Sequence, residues 1–364
     1  MLYGSLVRER FPLRRIQRRD GLIAVVVEFH RVDAHRVQPC LYRPEHRYRV
    51  SIPYRCIHSF VPPHSSSPSR RRHVFLPKAA GCWVAMGKWK SMQASGWIFD
   101  IQRFCTHDGP GIRTVVFLQG CPLRCSWCHN PEGWTPRGQV AIYPSKCIGC
   151  GRCADVCRND AVADRGRCVS CGACCEACPS ESRRLIGRIA TADEVIATAM
   201  RDQPFYVTSG GGVTLSGGEP LSQPEFSCGL LRQLKERGAH TAVETSGFTD
   251  WETLVRISPL TDLFLYDIKL LDSSRHAELC GVGNEQILAN ARRLSQSGAH
   301  IVFRTPVVPG VNDGAEEMRR IGEFVASLPG LHQHELLPYH GIGAGKYAAL
   351  GLEVPLLGDE CGNE

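Results

Sequence analysis

The sequence predicts an α/β fold: a mainly parallel sheet with helices outside it and a small cysteine-rich insert. Three observations predict it. From residue 96 onward, short apolar strand-like runs alternate with helical ones. Polar or glycine-rich stretches recur where those strands end: Ser216-Gly-Gly-Glu219, Glu244-Thr-Ser-Gly247, Asp267 with Lys269, and Arg304. Eleven of the 19 cysteines fall into three runs of regular spacing.

The elements follow in order. Trp97–Phe104 and Arg113–Leu118 read as strands around the Gly/Pro loop Asp108-Gly-Pro-Gly111. The cysteine runs come next. Ala192–Met200 reads as a helix, and Gly212–Ser216 as a strand running into Gly217-Gly218-Glu219-Pro220. Glu225–Gly238 is a helix whose glycine suits a C-terminal stop. Strands at His240–Glu244, Leu263–Lys269, His300–Thr305 and Glu335–Tyr339 are separated by helices around Trp251–Ile257, Asn284–Gly298 and Ala315–Ser327. Right-handed crossovers of this kind build either an open doubly wound sheet or a barrel, and spacing does not separate the two. In a barrel, the strand C-terminal ends form the active-site face.

The first cysteine run, Cys121-Pro-Leu-Arg-Cys125-Ser-Trp-Cys128, follows the apolar run Thr114–Leu118. C-x3-C-x2-C spacing lets three thiolates hold one face of a cuboidal iron–sulfur cluster, leaving a fourth iron open to another ligand. The competing metal is zinc held by the three cysteines and His129, which asks adjacent Cys128 and His129 to turn toward one tetrahedral ion. Two further runs lie in an insert over residues 141–183: Cys147-x2-Cys150-x2-Cys153-x3-Cys157 and Cys168-x2-Cys171-x2-Cys174-x3-Cys178-Pro179. This pattern marks a bacterial two-cluster ferredoxin, in which the fourth cysteine of each run serves the other cluster. One set is then Cys147, Cys150, Cys153 and Cys178; the other is Cys168, Cys171, Cys174 and Cys157. Arg158 stands where the first run would have proline, and Cys175 is surplus. Zinc ribbons separate their cysteine pairs by longer loops than these.

Residues 1–90 carry 18 Lys and Arg against five Asp and Glu, and the remainder 25 against 31. The chain's net charge of +7 therefore belongs to its head, and the body gives no reason to expect nucleic-acid binding. The head is Arg-rich and keeps no period for long. It reads as a disordered extension, as a targeting peptide, or as upstream sequence before a true start at Met86 or Met92. Cys40, Cys56 and Cys82 have no metal spacing. No apolar run reaches membrane-spanning length, and no signal peptide is evident. Clustered C-x2-C repeats point to a reducing compartment, the cytoplasm, rather than to a disulfide framework.

From about residue 96 to 352 the chain resembles the glycyl-radical enzyme activating enzymes, the relatives of pyruvate formate-lyase activase. The residues that carry the resemblance are His107-Asp-Gly-Pro-Gly-Ile-Arg-Thr114, the cysteine loop running into His129-Asn-Pro-Glu132, and Ser209–Pro220. They continue through Glu244-Thr-Ser-Gly247, Tyr266-Asp-Ile-Lys269, Arg304–Asp313 and Leu337-Pro-Tyr-His340. The two-cluster insert is similar to that of the branch that activates decarboxylases, dehydratases and lyases. The resemblance implies a partial (β/α)6 radical S-adenosylmethionine (SAM) barrel from residues 96–140 and 184–355, with the insert beside it. It implies three 4Fe-4S clusters, with Cys121, Cys125 and Cys128 holding the one that binds SAM. Reductive cleavage of SAM to a 5′-deoxyadenosyl radical, which removes hydrogen from a backbone glycine of a partner glycyl-radical enzyme, is the implied reaction. A flavodoxin- or ferredoxin-type donor would supply electrons to a monomeric, cytoplasmic enzyme. SAM contacts are implied at Trp127, Gly217, Gly218, Glu219, Asp267, Ile268, Lys269, Arg304 and His340, and a monovalent cation at Glu244 and Thr245. Asp267 and Lys269, two apart on a strand, would share one face. Two other functions use parts of the same pattern: a radical SAM enzyme for a small molecule or peptide, and a ferredoxin-like electron carrier.

Overall fold

The computed structural model describes residues 14–17, 23–26 and 94–353. The chain divides into two units, Met1–Pro62 and Pro63–Glu364. In the first, strands β1 (Arg14–Gln17) and β2 (Ile23–Val26) pair antiparallel, with Arg14 opposite Val26. Cys40, Cys56, Cys82 and the alternative starts Met86 and Met92 lie outside the described residues.

The second unit is an α/β fold. It opens with β3 (Ser95–Cys105) and β4 (Arg113–Leu118), an antiparallel pair. The insert follows: β5 (Gln139–Ile142), the one-turn helices α1 (Arg152–Asp155) and α2 (Ala173–Glu176), and β6 (Arg183–Ile186). Then come β7 (Arg188–Thr191), α3 (Ala192–Ala199), α4 (Gln203–Ser209), β8 (Gly212–Gly217) and α5 (Pro224–Glu236). After them come β9 (His240–Thr245), α6 (Trp251–Ile257), β10 (Leu263–Asp267), α7 (Ser273–Cys280) and α8 (Glu285–Gln296). The unit ends with β11 (Ile301–Val307), α9 (Ala315–Ser327), β12 (Gln333–Pro338) and α10 (Ala344–Leu350).

The main sheet runs β12-β11-β10-β9-β8-β4-β3-β7. Its six strands from β4 to β12 are parallel throughout. Such strands are covered on both faces and so read as unbroken apolar runs. β4, β8, β10 and β11 are buried along almost their whole length. The core packs Val116, Leu215, Val243, Phe264 and Phe303 from the strands against Leu231, Leu254, Leu294 and Ile321 from the helices. Local chemistry sets the helix ends. Thr191 and Glu194 cap α3 reciprocally, and Asp250 caps α6 through the Thr253 amide at 2.7 Å. Gly238, at φ +74°, ends α5 in the left-handed region.

One element ends earlier than its alternation suggested. The assigned strand β10 ends at Asp267, although the Ile268 amide still bonds the Arg304 carbonyl (2.8 Å) in the register that pairs Asp267 with Arg304. Lys269 lies two residues beyond the assigned end of β10, and its side chain meets that of Asp267 in a 2.6 Å ion pair. Among the described residues, no helix is long and apolar enough to cross a membrane.

Candidate functional site

The cysteine loop leaves the C-terminal end of β4, beside the ends of β8 and β10. Two sets of backbone bonds and one side-chain bond hold it. The Gly120 amide donates to the Gly133 carbonyl (2.8 Å) and the Cys121 amide to the Trp134 carbonyl (3.2 Å). At the C-terminal end of α7, the Cys280 and Leu279 carbonyls accept from the Arg124 and Ser126 amides, at 2.7 and 2.9 Å. Tyr347 of α10 donates its hydroxyl to the Cys128 carbonyl at 3.0 Å. Parts of the chain far apart in sequence thus grip a loop that has no regular structure of its own.

Leu123, Cys125 and Trp127 turn inward and join Leu270, Cys280, Val308 and Val311 in a small apolar cluster, against which Cys121 and Cys128 pack. Burial, then the Glu219 charge, pushes the Cys121 thiol far above its usual range; Cys125 and Cys128 add to the effect. Burial and then Cys125 push Cys128 up to about 11. Cys125 is raised chiefly by its contact with the Cys280 thiol. The Ser126 hydroxyl is buried with no protein partner. Three crowded thiols and an orphaned hydroxyl in an apolar wall suit a multi-iron cluster, whose irons favour thiolate donors. Among the described residues, no three His, Cys, Asp or Glu side chains gather around a point as a single metal ion needs. His129, the fourth donor in the zinc alternative, instead stacks on His340 with ring centres 3.9 Å apart.

Around this loop the expected polar residues form a connected set. Lys269 bonds Asp267 at 2.6 Å. Burial would lower the Lys269 pKa, but Asp267, Cys125 and Cys280 outweigh it and hold the ammonium charged. Ile268 is buried, and its carbonyl accepts the Thr305 hydroxyl at 2.7 Å. Arg304 is pinned by Glu244 (2.9 Å), Glu335 (3.2 Å) and the His107 carbonyl (3.0 Å). The second Glu244 oxygen accepts the Ser216 hydroxyl at 2.5 Å. Glu219 is fully buried, and all of its capacity goes to protein: the Leu221 amide (3.1 Å), the Thr245 hydroxyl (2.7 Å), and the Ser246 amide and hydroxyl (2.8 and 2.6 Å). Its carboxylate thereby ties the end of β8 to the end of β9. Gly217 sits at φ +119°. A Cβ at Gly218 would lie 2.4 Å from the Gly133 carbonyl oxygen and 2.6 Å from that of Gly120. These glycines are needed so that the end of β8 can lie against the chain that carries the cysteines.

Cys280 is the functional candidate that sequence reading missed. It is fully buried at the last position of α7 and has no spacing partner that would mark it.

In the insert, α1 and α2 repeat one design: each starts after a glycine in the left-handed region, Gly151 at φ +76° and Gly172 at φ +84°. β5 and β6 close its base with Ile142 opposite Arg183, and the Tyr143 amide bonds the Ser182 carbonyl at 2.7 Å. A cavity of about 150 Å³ is walled by Cys157, Cys168, Cys171 and Cys174, with Arg165 and Arg183 beside them. Those four cysteines are one complete predicted ligand set, including the member that crosses over from the first run.

Comparison of the sequence with known proteins places the chain in a class. A family described as a 4Fe-4S single cluster domain covers residues 107–279. The choline trimethylamine-lyase activating enzyme of Oleidesulfovibrio alaskensis is 42% identical over 276 residues, 72% of this chain and 89% of that one. The benzylsuccinate synthase activating enzyme of Thauera aromatica is 43% identical over 272 residues, covering 70% and 81%. The trans-4-hydroxy-L-proline dehydratase activating enzyme of Clostridioides difficile is 42% identical over 261 residues, covering 69% and 86%. A solved domain of a pyruvate-formate lyase-activating enzyme from Bacteroides vulgatus is 40% identical, with a TM-score of 0.34 over 36% of this chain and 81% of that one. The class is that of radical SAM enzymes with a 4Fe-4S cluster. Within it, the chain belongs to the glycyl-radical enzyme activating enzymes. It is an enzyme that uses SAM to activate a partner glycyl-radical enzyme.

Proposed function

We propose that Cys121, Cys125 and Cys128 hold the SAM-binding cluster and that the insert holds two more. The observation that carries this reading is the packing of the three cysteines around one buried apolar cluster at the strand ends, beside Lys269 and Asp267. When bound, cluster and SAM supply one-electron reductive cleavage that ends in removal of hydrogen from the partner's glycine.

The protein's own part is holding and excluding. Leu123, Leu270, Val308 and Val311 keep water from the thiols on one side. Trp127, within the loop, and His340, stacked on His129, would border the adenosyl group. The Asp267–Lys269 pair, Ile268 between them and Arg304 would face SAM, supplying fixed charge near its polar groups. Gly217 and Gly218 give backbone access to its methionine end, and Glu219 holds that backbone in place. Any monovalent cation at Glu244 and Thr245 would join an existing network, since both already bond within the protein.

The six parallel strands support a partial (β/α)6 barrel over 96–140 and 184–355. The Cys157, Cys168, Cys171 and Cys174 cavity supports crossed ligation in an insert over 141–183. Three 4Fe-4S clusters, a flavodoxin- or ferredoxin-type donor, a monomer and a cytoplasmic location complete the reading. The test is anaerobic reconstitution with iron and sulfide, then reduction with SAM and a co-encoded glycyl-radical enzyme. The expected result is 5′-deoxyadenosine release and a glycine-centred doublet in electron paramagnetic resonance. SAM cleavage with no doublet from any co-encoded partner would favour small-molecule or peptide chemistry instead.

A further inference from the structure

The two cysteine runs of the insert begin alike, with Lys146-Cys147-Ile148 and Arg167-Cys168-Val169: a cation, a proposed ligand and a β-branched residue. Ile148 and Val169 are 68% and 66% exposed. The second run turns its cations to the protein. Arg167 pairs with Asp160 at 3.4 Å, and Arg165 is spent on the carbonyls of Val140 (2.6 Å) and Ala349 (3.1 Å). Its cysteines line a cavity shared with Gln139, Val140 and Leu350, from outside both runs. The first run is open. Residues 144–152 are exposed throughout, Cys147 and Cys150 included. A Cβ on Gly149 or Gly151 would meet nothing within 4 Å. Lys146 lies over the Tyr143 ring at 5.5 Å, and Arg152 opens α1. Among the described residues, neither cation has an acid partner. Between residues 144 and 156 they stand against a single acid, Asp155.

We propose that the exposed face of residues 144–152 is where electrons enter the enzyme, and that it docks an acidic flavoprotein carrying single electrons. The inference rests on the reading of the insert as cluster-bearing. Ile148 forms the apolar centre of the contact, with Lys146 and Arg152 at its rim. The exposed dimethylbenzene edge of a bound flavin, set among carboxylates, complements that pattern: apolar meets apolar, and anion meets cation. Electron-transfer encounters are small, so one exposed loop suffices. Opposite charges steer the approach. In the exchange the flavin hydroquinone anion loses one electron and becomes the neutral semiquinone. The cluster on Cys147, Cys150, Cys153 and Cys178 gains that electron; no proton moves and no bond forms.

The test mixes the reconstituted full chain with separately reduced flavodoxin and follows semiquinone formation by stopped-flow absorbance. Wild-type rates should fall steeply as salt rises, because salt screens the attraction. Lys146→Glu with Arg152→Glu should slow the reaction about tenfold at low salt and flatten that dependence. Ile148→Gln keeps both charges and should slow it at every salt concentration. Arg167→Gln and Val169→Gln, at the matching places in the second run, should leave the rate unchanged. Each chain is also reduced by photogenerated 5-deazariboflavin radical, which is small and uncharged and needs no docking; rates there should all equal wild type. A salt-independent wild-type rate, unchanged rates in the first-run variants, or equal losses in the second-run variants would overturn the proposal. So would reduction by a two-cluster ferredoxin and not by flavodoxin. If the double variant loses iron, Lys146→Gln judged against Arg167→Gln decides. Iron for the SAM cluster alone in the wild-type chain would instead sink the cluster-bearing reading of the insert, and the inference with it.

Discussion

Cys280, at the end of α7, packs in the same buried apolar cluster as Cys125 of the cysteine loop, and their proximity raises the pKa of the Cys125 thiol and lowers that of Cys280. It is a fourth sulfur beside a three-cysteine site, and a cluster with four protein ligands would have no corner left for SAM. Its contact falls on Cys125 itself, which suits a hydrogen-bond donor to a ligand sulfur. Cys280→Ala should therefore keep wild-type iron content and the spectral change on adding SAM, at a stability cost of about 1 kcal/mol for the lost contact. Loss of four irons relative to wild type would make Cys280 a ligand and contradict the open-corner reading.

Glu219 accepts four hydrogen bonds while fully buried. Glutamine offers one acceptor oxygen and turns an NH2 group toward donors already there. Glu219→Gln should therefore destabilise the fold by about 2–3 kcal/mol, the scale of lost bonds to a buried charge. It should also loosen the β8–β9 junction. Denaturant unfolding measures the first effect and SAM affinity the second. An unchanged unfolding midpoint would mean that the carboxylate is not the tie it resembles.

Most of this fold was legible from periodicity. The helices Trp251–Ile257 and Ala315–Ser327 span the residues their patterns mark. α4 and α7 escaped because each spans only seven or eight residues, although left-handed Gly210 and Gly281 mark their C-terminal ends. β10 was read two residues too long because Asp-Ile-Lys continues the alternation past Asp267, the last residue of the assigned strand. In the site, the cysteine spacings were readable because clusters need ligands close in sequence. Cys280 was not, since a lone cysteine carries no spacing. Nor was the engagement of Glu219: the Gly-Gly-Glu-Pro stretch looks the same whether its carboxylate faces a ligand or a neighbouring strand.

Gly218 illustrates the difference between a glycine that faces a ligand and one that faces the chain. An added Cβ would press on the carbonyl oxygens of Gly133 and Gly120, both backbone atoms that cannot swing aside. Gly218→Ala should displace the cysteine loop before any ligand is present. The expected outcome is a lower melting temperature in the cluster-free chain and poor iron uptake on reconstitution. Normal stability and iron content with weakened SAM binding alone would locate the constraint at the ligand instead.

At the opposite end of the sheet, His240 begins β9, and its Nδ1 lies 3.3 Å from an Arg113 guanidinium nitrogen. Burial, and then the Arg113 charge, hold its pKa below the ordinary value. The unfolded histidine titrates near 6.5. Between the folded and unfolded values the unfolded chain binds the extra proton, so stability rises with pH there. The contribution is present above pH ~6.5 and is lost as pH falls through the folded value. Wild-type urea midpoints should drop between pH 7.5 and 5.5. His240→Asn, which keeps an acceptor for Arg113 but cannot take the proton, should drop less, by at most about 1.4 kcal/mol per pH unit for one proton. His129, His276 and His334 are lowered by burial too, so some slope will remain. Parallel wild-type and variant curves across that range would show that His240 carries no such linkage.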